Sequence, residues 1–112
     1  MKVQGILGSG FQELVYQRAL AVALEKENIN FLREVEMEIF YENVHVGSRR
    51  VDFYVEDKLL VEIKAVSKLD NSHLAQAISY CQAFHEPNGL LLNFGSRNLE
   101  YRRVYNLSLI HI

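Results

Sequence analysis

Asp52, Glu62 and Lys64 stand in the order D-x9-E-x-K, between two short apolar runs, RRVDFYV at 49–55 and LLVEIKAV at 59–66. Both runs read as strands, and the short Glu56-Asp57-Lys58 segment makes them a hairpin. With the loop centred on Asp57, Asp52 lies directly opposite Glu62. Side chains alternate between faces along a strand, so Glu62 and Lys64 share one. Asp52 joins them across the ladder at a Cβ separation of about 4.5–5.5 Å. The other face carries Val51, Phe53, Val55, Val61, Ile63 and Ala65, all apolar, and must be core. Two facing carboxylates repel. A hard divalent cation such as Mg²⁺ or Mn²⁺ would relieve that repulsion, because it takes oxygen ligands and often uses one or two carboxylates with waters and a substrate phosphate. Lys64 would then orient a water or support charge developing on the phosphate. The plainer alternative is a solvated hairpin face holding a Glu–Lys pair.

Two helices must deliver whatever else the site needs. Residues 11–27 are rich in strong helix formers. Glu13, Tyr16, Leu20, Ala23 and Leu24 fall on one stripe by the 3.6-residue period. Glu13 thus extends the core-facing stripe, where an unpaired carboxylate is costly and calls for a partner or a metal. The candidate metal set is therefore Asp52, Glu62 and Glu13. The alternative is a solvent-exposed first-turn residue favoured by the helix dipole. The second helix spans 71–85, with Asp70, Asn71 or Ser72 as N-cap candidates. Its apolar stripe is Leu74, Ala77, Ile78, Cys81 and Phe84. A separate stripe holds His73, Gln76 and Tyr80; Gln76 is the member placed to reach the site or a substrate backbone, while His73 reads as part of an ordinary polar face.

The remaining elements are a strand over 32–41, a turn region marked by Asn43 and Gly47, an apolar strand from Gly89 to Phe94, and a last strand near 101–105. The order α-β-β-β-α-β-β, with a helix crossing between the third and fourth strands, implies an α/β fold with a mixed sheet flanked by helices. There is little room for a helix before Gly8. Residues 1–106 read as one domain, and Leu107 to Ile112, which lack a polar stop, as a non-native tail. The chain's 112 residues suffice for a single core. A net charge of -2 argues against a strong nonspecific hold on nucleic acid. Arg33, Arg49, Arg50, Lys68, Arg97, Arg102 and Arg103 are candidate phosphate contacts, although a scattered set is more often solvated surface. A lone cysteine, Cys81, allows no intrachain disulfide and fits a cytoplasmic setting. The N-terminus lacks a signal-peptide pattern. No apolar run approaches the roughly 20 residues that span a bilayer, so no membrane association is expected.

Four motifs, taken together, resemble a known family. Gly10-Phe11-Gln12-Glu13-Leu14-Val15-Tyr16 has the pattern that names the GxxExxY proteins. It is followed in order by VDFYV…LVEIKAV, HLAQAISY and GLLLNFG. The resemblance covers about residues 5–106. That family is similar to the PD-(D/E)XK nuclease superfamily, with its restriction-endonuclease-like core. The resemblance implies Asp52 and Glu62 as metal ligands, Lys64 as the catalytic lysine, Glu13 as a helix-borne acidic member and Gln76 as a site accessory. The resemblance does not supply the substrate; the leading reading is Mg²⁺- or Mn²⁺-dependent hydrolysis of nucleic acid, with DNA the favoured polymer. The alternative is a module of the same fold that binds nucleic acid or protein without cutting, and the acidic charge balance leans toward it.

Overall fold

The computed structural model describes residues 2–107; Met1 and residues 108–112 lie outside them, and with them all of the expected tail except Leu107. Two hairpins build one side of the sheet. Strands β1 (Phe31–Tyr41) and β2 (Val44–Val55) are joined through Glu42 and Asn43, at φ 47° and 66°. Positive φ at both central residues gives a turn whose twist matches that of the strands. Gly47, expected in this turn, instead lies within β2, opposite Ile39. Glu42 and Asn43 supply both left-handed residues of the turn without it. Strand β3 (Leu59–Lys64) follows through Glu56 and Asp57, at φ 52° and 55°. The register is Phe53↔Val61, Tyr54↔Leu60 and Val55↔Leu59, as a loop centred on Asp57 requires.

Helix α3 (Asn71–Ala83) then crosses over to β4 (Asn88–Asn93), parallel to β3, and β5 (Glu100–Tyr105) closes the sheet antiparallel to β4. The sheet order is β1-β2-β3-β4-β5. Its parallel β4 is the continuous apolar run, since helices cover both faces of that part of the sheet. Asp70 is the N-cap of α3. Its carboxylate accepts from the backbone of Ser72 (2.9 Å) and His73 (3.2 Å), while His73 Nδ1 accepts from Asp70 N (3.0 Å). His73 thus belongs to a capping box.

The α-β-β-β-α-β-β order is present, preceded by a short helix α1 (Lys2–Leu7) where the sequence leaves little room for one. Val3 is buried and Leu7, one turn on, packs beside it against α2 (Glu13–Lys26). Gly8, at φ 74°, ends the helix by donating from its N–H to Gln4 O (2.8 Å). No helix among the described residues is long and apolar enough to cross a membrane.

Two cores sandwich the sheet. Tyr16, Leu20, Phe53, Val61, Ile63, Leu92 and Phe94 pack together with α1 and α2. On the α3 side lie Val51, Leu60, Ala77, Cys81 and Val104. Strict alternation puts Val51 on the same face as Phe53, yet it packs with α3. The alternation switches between them: Phe31 and Phe53 join the first core, whereas Val35 and Val51 join the second. The switch coincides with Glu34, whose φ of 54° interrupts β1, and with the end of the regular β2–β3 ladder at Phe53. Both interruptions flank Asp52.

Candidate active site

Asp52 sits where β2 parts from β3. Beyond Phe53 the two strands no longer pair, so the Ile63 N–H on that side lacks a strand partner. The Asp52 side chain takes the role: its Oδ2 accepts from Ile63 N at 2.7 Å. Its Oδ1 accepts from Gln17 Nε2 at 2.8 Å, a reach from α2 across the edge of the first core. Such charge-assisted bonds are each worth about 1.5–3 kcal/mol.

Glu62 points to the α3 side and is only 9% exposed. Burial, and then a hydrogen bond and charge repulsion from Asp52, push its carboxyl from the ordinary 4.5 up to about 9, against the opposing pull of Lys64 and Arg49. Near neutrality Glu62 therefore keeps its proton. The repulsion expected between the two carboxylates is relieved by that proton, and by the two donors that hold Asp52. Lys64 follows on the same face of β3 and its Nζ donates to Gln76 Oε1 on α3 at 3.2 Å. The structure thus brings Asp52, Glu62, Lys64 and Gln76 to one end of the sheet.

Glu13 is different. It is the first residue of α2 and exposed, not buried as its stripe suggests. The first turn projects past the sheet, so the stripe becomes core only from Tyr16. Among the described residues no three His, Cys, Asp or Glu side chains converge as a cage, so Glu13 does not join Asp52 and Glu62 in one. Tyr16 explains how this turn is held. Fully buried and stacked on Phe94 (centroids 4.9 Å apart), it donates to Gly8 O at 2.7 Å and accepts from Phe11 N at 3.0 Å.

Sequence reasoning missed Gln17, which is 6% exposed and one turn after Glu13. A polar residue beside Tyr16 on the inner stripe was the available signal. It also missed Asn93. That fully buried amide accepts from Val66 N and donates to Val66 O, both at 2.9 Å, pinning the chain just after Lys64. Asn93 donates as well to Glu100, which accepts from Leu69 N, so the loop leading to α3 is tied to β5. Gly95 lets the backbones meet: a Cβ there would lie 2.4 Å from Val66 N. These contacts fix where Lys64 and Gln76 can stand.

The side chains suit a hard cation. Glu62 Oε1 and Gln17 Oε1 are buried without a hydrogen-bond partner. Glu62 holds a proton that a cation of higher charge would displace. All available donors are oxygens, the ligand type of Mg²⁺ and Mn²⁺.

The profile of the PD-(D/E)XK nuclease superfamily matches residues 1–104. Among solved structures, the crystal structure of SSO0001 is similar at a TM-score of 0.65 and 20% identity, over 81% of this chain and 48% of that one. At that identity the likeness is one of fold, and the chain spans about half the length of that protein. Among curated proteins none matches.

Proposed function

The chain belongs to the PD-(D/E)XK nuclease superfamily, and from that premise we propose that it is a divalent-metal-dependent nuclease hydrolysing phosphodiester bonds of nucleic acid, DNA in first place. The observation that carries the reading is the buried, unpartnered Glu62 oxygen on the same strand face as Lys64, next to an Asp52 carboxylate held by Ile63 N–H and Gln17. Asp52 and Glu62 would hold Mg²⁺ or Mn²⁺, without Glu13, which stands exposed at the start of α2. The ion supplies a Lewis acid for the phosphoryl oxygen and lowers the pKa of a bound water.

The protein's own groups do the rest. Ile63 N–H and Gln17 fix the Asp52 carboxylate, so it meets an incoming charge without reorganising. Lys64, steadied by Gln76, supports negative charge growing on the phosphate and orients the attacking water. The water oxygen forms the new bond to phosphorus and gives up a proton to solvent, while the bond from phosphorus to the leaving ester oxygen breaks and that oxygen takes up a proton to depart as a hydroxyl. Residues 1–106 form the functional domain in this reading, and a cytoplasmic location accords with Cys81 as a free, buried thiol.

The net charge of -2 favours a second reading, a non-cutting module that binds nucleic acid or protein. A panel of single- and double-stranded DNA and RNA, incubated with Mg²⁺ or Mn²⁺, decides between them. The nuclease reading expects cleavage that requires the cation and is abolished by Asp52→Asn or Lys64→Ala. Metal-independent binding with no cleavage of any substrate by the folded protein would replace it with the binding module.

A further inference from the structure

Arg49 occupies a place that its neighbour Arg50 does not. Beyond the switch at Asp52, odd-numbered residues of β2 face α3, as Val51 does. Arg49 follows on that face, and its Cζ lies 5.2 Å from the centroid of the Tyr80 ring on α3. Tyr80 lines the same small pocket as Glu62, so the stacked pair borders that carboxyl group. Glu62 in turn feels Arg49 alongside Lys64.

Among the described residues no carboxylate forms an ion pair with Arg49. The guanidinium is exposed, and it is held by an aromatic face rather than neutralised. A ring below leaves the edge of the planar fork free, and that edge matches two oxygens of a phosphate. Arg50 faces the other way, opposite Glu36.

We propose that Arg49, laid on Tyr80, binds a non-bridging oxygen pair of a nucleic-acid phosphate at the mouth of the Asp52–Glu62 pair, with Tyr80 as its positioning residue. This rests on the nuclease reading and deepens it by naming the side chain that holds the substrate backbone. Lys64 and Arg49 then flank the carboxylates with positive charge, which lets an acidic chain accept a polyanion at this one place. The contact reads phosphate and not base, so it is independent of sequence.

The test is binding of a fluorescein-labelled 20-base-pair DNA duplex, and of one of its strands, by anisotropy in EDTA across a NaCl series. Cleavage of the same duplex in Mg²⁺ is followed in parallel. Arg49→Gln is expected to weaken binding about tenfold and to reduce the steepness of log K against log salt by about 0.9 for the duplex, the value of one phosphate contact. Arg50→Gln is expected to change the slope by much less. Tyr80→Leu should reproduce part of the Arg49→Gln loss, and Tyr80→Phe should recover affinity relative to Tyr80→Leu, because the ring face is restored. Equal slope changes for Arg49→Gln and Arg50→Gln would reduce Arg49 to diffuse surface charge. So would an unchanged slope in an Arg49→Gln protein that melts like the wild type. Cleavage by the wild type together with either result overturns the Arg49 assignment and leaves the nuclease reading standing. A wild-type protein that neither binds nor cuts refutes both.

Discussion

Replacing Glu62 by Gln in the metal-free protein turns the proton held on Glu62 into a measurable stability. The folded Glu62 releases its proton at about 9, whereas the ordinary value is 4.5. Because the folded value is raised, the stabilisation is fully present below about pH 4.5 and is lost as the pH rises toward 9. Across that window the folded state holds a proton that the unfolded chain has given up. Stability then falls by up to about 1.4 kcal/mol per pH unit, or about 4 kcal/mol between pH 5 and pH 8. The amide introduced by Glu62→Gln cannot ionise, so the variant should lack this slope and overtake the wild type as the pH rises. Urea unfolding in EDTA at several pH values, read by circular dichroism, measures both curves. Subtracting one from the other removes every other titrating group. Parallel curves would mean that Glu62 is ionised in the folded protein, and a protonated Glu62 would then be the wrong description of the site.

Divalent metal should replace the proton. Mg²⁺ or Mn²⁺ at ten times its dissociation constant should stabilise the wild type by about 1.4 kcal/mol, a rise of several degrees in melting temperature; an equal rise in Asp52→Asn would remove Asp52 from the ligand set. Gln17→Leu keeps the volume while deleting the donor to Asp52 and an already unpartnered oxygen. The lost bond, about 1.5–3 kcal/mol, is offset in part by removing the buried unpartnered oxygen, so metal-free stability should fall by about 1–2 kcal/mol; the response to Mn²⁺ should weaken, and calorimetric titration that finds wild-type affinity would make Gln17 a bystander. Gly95→Ala forces a Cβ to within 2.5 Å of three backbone atoms of Ala65 and Val66. It should cost about 2–3 kcal/mol in urea unfolding, and wild-type stability would show that the loop after Lys64 yields easily.

Local rules made much of this fold legible. The positive-φ turn at Glu56 and Asp57 set the β2–β3 register as far as Phe53↔Val61, and that placed Asp52 beside Glu62 although the ladder ends one residue short of pairing them. Helix α3 announced itself through Asp70 and its two stripes. The long-range features stayed hidden. Glu13 reads as buried because helical periodicity cannot tell where a helix projects beyond the sheet it covers. Val51 reads as a neighbour of Phe53 because strict alternation assumes an unbroken strand, and Glu34 gives no sign in its residue type of adopting φ 54°. Gln17 and Asn93 find their partners, Asp52 and Val66, through distant segments of chain. A polar residue on an inner stripe says that a partner exists, not which one.

The interruption beside Asp52 explains why the site stands at this end of the sheet. Had β2 continued alongside β3, a backbone carbonyl would have met the Ile63 N–H and the ladder would have closed over the space between the carboxylates. Because the strands part, the N–H is left open and Asp52 fills it with a side chain. Asp52 is thereby committed twice, once to closing the sheet and once to the cation proposed for the site. Substituting it perturbs the fold and the chemistry together: an amide at position 52 can accept with one atom only, so either Ile63 or Gln17 must turn or lose its bond. Glu62 carries no comparable backbone duty, and one of its oxygens has no partner at all. A loss of metal response on changing Glu62, with stability kept or raised, therefore isolates the chemistry of the pair in a way that no substitution of Asp52 can.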